Sequence, residues 1–68
     1  MNFTLEFEQE TDGRWLAEIP NLPGVLAYGA TSDEALSKAE TLALRVLADR
    51  LEHGESRPLS IHINLAAA

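Results

Sequence analysis

The sequence predicts an α+β domain: a four-stranded mixed sheet in the order 3-2-1-4, with one helix lying on one face. Three observations carry this. Residues before Pro20 alternate with the period of a strand, residues from Thr31 onward repeat with the period of a helix, and Leu59 to Leu65 return to alternation. Between the first two regimes stands Ile19-Pro20-Asn21-Leu22-Pro23-Gly24. Two prolines fix their own φ and push Ile19 and Leu22 out of the helical region, so this stretch is a rigid loop.

The first strand runs from Asn2 to Glu8, with Phe3, Leu5 and Phe7 on one side and Asn2, Thr4, Glu6 and Glu8 on the other. Asp12-Gly13 is a turn signal, because glycine accepts positive φ and aspartate tolerates it. A hairpin to Arg14 to Ile19 follows, in which Trp15, Ala17 and Ile19 share a face. After the proline loop, Val25 to Gly29 is short and apolar and reads as a third strand antiparallel to the second.

Thr31-Ser32-Asp33-Glu34 is a helix start, with Thr31 accepting from the amide three residues on and Glu34 reaching back to the amide of Thr31. Asp33 and Glu34 suit the positive end of the helix dipole. The helix is expected to run to about His53, where Gly54 allows a left-handed stop and Pro58 prevents resumption. Ala35, Leu36, Ala39, Leu42, Ala43, Val46 and Leu47 make the stripe that lies on the sheet. Leu44, Ala48 and Leu51 widen it beyond the roughly 100° that one core requires, which marks them as a candidate oligomer interface.

Leu59, Ile61, Ile63 and Leu65 give a fourth strand with one apolar face, and Ala66 to Ala68 carry no pattern. A right-handed crossover places this strand parallel to and beside the first. Phe3, Leu5, Phe7, Trp15, Ala17, Ile19, Ile61 and Ile63 are then expected in the core. The opposite face is expected to carry Glu6, Glu8, Glu18, Tyr28, Ser60 and His62.

The 68 residues allow one domain, residues 1–68. One core of this size rarely supplies more than about 3–5 kcal/mol, and a chain without cysteine has no disulfide to add. His53 and His62 are too distant in sequence to suggest a metal site, and no cofactor motif is present. Self-association is the expected remedy, a dimer first and a tetramer built from two dimers next. The net charge of −6, with only five lysines and arginines, disfavours direct nucleic-acid binding and favours a basic protein partner. No signal-peptide pattern and no membrane-spanning run is present, so a cytoplasmic location without membrane contact is expected.

The run Asp12-Gly13-x-Trp15-x-Ala17-x-Ile19-Pro20-Asn21-Leu22-Pro23-Gly24, then Gly29-x-Thr31-x-x-Glu34-Ala35-Leu36-x-x-Ala39, resembles the HicB-type antitoxins over almost the whole chain. Gly54-Glu55 and Pro58 stand where that family leaves its helix. Val25 occupies a position where many relatives have cysteine. The resemblance implies a β-β-β-α-β core similar to a reduced ribonuclease H-like fold. It implies no catalysis by this chain: the partner is a small basic HicA-type ribonuclease, with a double-stranded-RNA-binding-domain-like fold and its own catalytic histidine, which the antitoxin neutralises by direct binding. Many members add a C-terminal DNA-binding domain; here the chain is expected to end after strand four, without direct promoter repression.

Glu6, Glu8 and Asp12, with Asn21 and Leu22 at the loop tip, are the candidate partner-binding residues. Two rival readings stand beside this one. A metal-dependent nuclease would use Glu6, Glu8, Asp12 and Glu18, and requires carboxylates that hold two ions about 3.5–4 Å apart. An orphan oligomerisation module would have the same fold and no toxin.

Overall fold

A computed structural model describes residues 2–54 and 61–67. Four strands, β1 (Asn2–Gln9), β2 (Trp15–Glu18), β3 (Leu26–Gly29) and β4 (His62–Ala67), surround one helix in sequence, α1 (Ser32–Glu52), placed between β3 and β4. The sheet order is β3-β2-β1-β4. β1 pairs antiparallel with β2 and β2 antiparallel with β3, while β4 runs parallel to β1. The expected α+β layout is the observed one.

The β1–β2 connection is a hairpin with a three-residue loop. The Glu10 amide donates to Arg14 O at 2.7 Å and the Gly13 amide to Glu10 O at 3.0 Å, closing a tight turn over Thr11 and Asp12. Gly13 leaves that turn with φ of 92°, the left-handed position such loops require. Asp12 then steadies the turn: its Oδ1 accepts from the Arg14 amide at 3.1 Å.

The proline loop folds back on itself instead of projecting. The Leu22 amide donates to Ile19 O, the Val25 amide to Leu22 O and the Ile19 amide to Val25 O, so the chain re-enters the sheet a short distance from where it left. Gly24 makes the reversal at φ 88°. As a consequence Leu22 points inward and is only 1% exposed, sealing one end of the core beside Ile19 and Val25. Its expected place at an accessible loop tip is thus corrected, while Asn21 is exposed.

α1 begins as its sequence indicates. Thr31 Oγ1 accepts from the Glu34 amide at 3.1 Å, satisfying one of the free donors of the first turn. The return half of the expected capping box is replaced: Glu34 Oε1 accepts from Lys38 Nζ at 3.0 Å, one turn ahead. The helix ends at Glu52 with His53 as its C-cap and Gly54 at φ 69°. Ala35, Ala39, Ala43 and Leu47 are buried against the sheet. The alanines allow close approach, and Gly29 allows more: a Cβ there would stand 2.6 Å from the Ala35 nitrogen.

The core consists of Phe3, Leu5, Ala17, Ile19, Leu22, Val25, Ala35, Ala39, Ala43 and Leu47, with Phe7, Trp15, Leu36, Leu42, Val46 and Ile63 partly buried around it. The Phe7 and Trp15 rings meet at 6.4 Å between centroids, tilted by 40°, a favourable aromatic geometry. α1 packs on β3, β2 and β1 and does not reach β4. Ile61, expected in the core, lies just before β4 and is exposed, and within β4 Leu65 is exposed too. β4 ends later than expected, since the register Asn2↔His62 to Phe7↔Ala67 recruits Ala66 and Ala67 as backbone partners. The expected start at Leu59, and Ser60 on the outer face, lie outside the described residues.

Candidate partner-binding face

Side chains that alternate with the core residues form the second face of the sheet, opposite the one on which α1 packs. β1 contributes Thr4, Glu6 and Glu8, β2 contributes Leu16 and Glu18, and β3 contributes Leu26 and Tyr28. From β4 come His62, Asn64 and Ala66. The pairing sorts these into rows across the strands. One row reads Ala66, Glu6, Glu18, Leu26 and the next Glu8, Leu16, Tyr28.

Glu6 and Glu18 therefore stand directly opposite each other. Like charges directly opposite each other on paired strands are destabilising. Together with Glu8 and Leu16 they line a shallow depression of about 50 Å³. No cationic side chain neutralises these three glutamates among the described ion pairs. Beside the depression the exposed Leu26 and Tyr28 supply an apolar border. An ammonium or guanidinium group fits such a site by charge, and an apolar side chain fits its border.

Asp12 does a different job. Its Oδ2 accepts from Arg14 Nε at 2.8 Å, and the same guanidinium lies 4.6 Å from the centroid of Tyr28. The Arg14 amide and then its side chain hold the Asp12 carboxyl below its ordinary value of 3.8. Asp12 is thus a turn residue already partnered within the chain, and it contributes less free charge than Glu6, Glu8 or Glu18.

Comparison with protein-family models, curated proteins and solved structures finds no match. The reading of this face rests on its own geometry.

The structure brings Glu6 and Glu8 of the sequence-based candidates together. Asn21 lies in the exposed proline loop, Leu22 is removed to the core, and Asp12 is held at the hairpin tip. Glu18, Leu16 and Leu26 join Glu6 and Glu8 on this face without being among the candidate contacts, as does Tyr28. Their parity with Tyr28 and with the solvent side of β1 was visible in the sequence. The missing quantity was the loop length between β1 and β2, which decides whether Glu6 faces Glu18 or a neighbour.

The helix residues Leu44 and Leu51 are exposed, at 54% and 41%, and Ala48 is exposed with them. Among the described residues no three His, Cys, Asp or Glu side chains come together as a metal site, and no helix is long and apolar enough to cross a membrane.

Proposed function

We propose that this chain is an antitoxin-type binding module that neutralises a small basic ribonuclease of the HicA type in the cytoplasm by direct complex formation. The observation that carries this is the pairing of Glu6 with Glu18, joined by Glu8, on an open sheet face bordered by Leu26 and Tyr28. A chain that places two carboxylates opposite each other, with no cation paired to either among the described residues, gives up stability in isolation. Departures from local consistency of this kind concentrate at functional positions. A basic partner removes the repulsion and gains association rate from the long-range attraction of a chain with net charge −6. The partner surface that holds RNA phosphates is the surface such a face attracts, so binding and inhibition are one event. No catalytic step is asked of this chain.

The test is to co-express the chain with the small basic protein encoded beside it, purify the pair and follow RNA cleavage. A stable complex and stoichiometric suppression of cleavage are expected. Glu6→Lys with Glu18→Lys should abolish suppression, and raising salt should slow association by the wild type. Cleavage suppressed equally by the double variant would remove this face from the inhibitory contact. Failure to bind any such partner would leave an orphan module.

A further inference from the structure

We infer that the uncovered face of β4 and the surplus apolar flank of α1 are the two halves of one self-association surface, filled by a second copy of this chain. Three observations lead there. The first is that β4 is a sheet edge to which α1 makes no close approach among the described residues, so that Ile63, in register with Phe3, is only partly buried against the core, and Leu65, in register with Leu5, is exposed. Leu65 is 59% exposed on the side of the sheet where Leu5 is wholly buried.

The second is the direction in which the helix surplus points. Ser37, Lys38, Thr41 and Arg45 share a groove with Ala27 of β3, so that flank of α1 overhangs the β3 edge. At 100° per residue the other flank runs from the partly buried Leu36 and the buried Leu47, past Glu40, to the exposed Leu51 and Leu44, and these last two, turned away from β3, are its surplus. One molecule thus presents an apolar strand face that lacks a helix and an apolar helix flank that lacks a strand. These are the two members of an isologous contact, in which residue i of one copy meets residue j of the other and j meets i.

Charge is the third. β4 contains no Asp, Glu, Lys or Arg, and on the helix flank Glu40 stands between Leu36 and Leu44, so the uncharged part is the C-terminal stretch with Leu44, Leu47 and Leu51. Copies that each carry a net charge of −6 repel one another over most of their surface. They can approach closely where that charge is absent, and a basic partner has nothing to recognise there. In the resulting dimer the α1 flank of each copy lies over β4 of the other, which gives the fourth strand the cover it lacks. The acidic face stays on the opposite side of both sheets, open to a different partner.

Sedimentation of the full chain should give the mass of a dimer, and Leu65→Glu should give a monomer of unchanged helical circular dichroism. Glu6→Lys with Glu18→Lys should remain dimeric. A chain with Leu44→Lys and Leu51→Lys should be monomeric alone, and should form a heterodimer when mixed with Leu65→Glu, because lysines then face a glutamate on one side and leucines meet a leucine on the other. Should the charged variants fail to fold, the absence of native cysteine supplies a milder probe. Chains with Leu44→Cys or Leu51→Cys, mixed with a chain carrying Leu65→Cys, should yield a disulfide-linked heterodimer on oxidation. A wild-type monomer, a dimer that survives Leu65→Glu, or mixtures that produce neither heterodimer nor cross-link would each overturn the assignment.

Discussion

Leu5 and Leu65 are neighbours in register on adjacent strands, with side chains on the same face of the sheet. One is wholly buried and the other is 59% exposed. Nothing in residue type or strand parity separates them; the difference is the reach of α1, which covers β3, β2 and β1 and ends short of β4. Alternation in a strand states which side chains share a face. Whether that face is buried is decided by the layer that packs on it, and here a single helix is too narrow for four strands.

The sharpest way to break this comparison is to truncate both leucines. Leu5→Ala should cost about 2–5 kcal/mol through lost transfer energy and the cavity left behind. Leu65→Ala, measured in dilute solution where copies do not meet, should change stability by no more than about 0.5 kcal/mol. Denaturant midpoints of the two variants decide the matter. Equal losses would mean that β4 is covered after all.

The seat of the helix is the next target. Gly29→Ala drives a Cβ against the Ala35 nitrogen and the Glu34 Cβ, at 2.6 and 2.9 Å. Because the nearest obstacle is backbone, α1 must shift, with an expected cost of about 1–3 kcal/mol. Thermal unfolding would show it. A neutral substitution would imply that the helix sits more loosely on β3 than the buried alanines indicate.

The smallest effect concerns the exposed ion pairs at the rim. The carboxyls of Asp12 and Glu34 are both held below their ordinary values, the first chiefly by the Arg14 amide and the second chiefly by the Lys38 ammonium. A lowered carboxyl contributes stability that is present above its unfolded value and lost as pH falls through the folded one. Asp12→Asn with Glu34→Gln should therefore flatten the decline in melting temperature below about pH 4, and leave neutral-pH stability little changed, as exposed pairs contribute little. A steep acid decline in the double variant would assign that pH dependence to other carboxylates.

Much of the candidate face was legible in advance. Glu6 and Glu8 follow from the alternation of β1, and Tyr28 from that of β3. Their meeting with Glu18 was not, because register depends on the three-residue loop Thr11-Asp12-Gly13. Leu22 was misplaced for a related reason: two prolines announce a rigid loop, yet only the hydrogen bonds among Ile19, Leu22 and Val25 turn that side chain inward.

By itself the sequence determined the elements and their order, because periodicity, caps and turn residues act over a few neighbouring positions. Thr31 starts the helix, Gly54 stops it, and Gly13 and Gly24 reverse the chain, whatever lies above them. The tertiary structure alone decided which apolar residues are buried, which carboxylates confront each other and which strand goes without cover. Those outcomes depend on distances between segments far apart in the chain, and on how wide a sheet one helix can span.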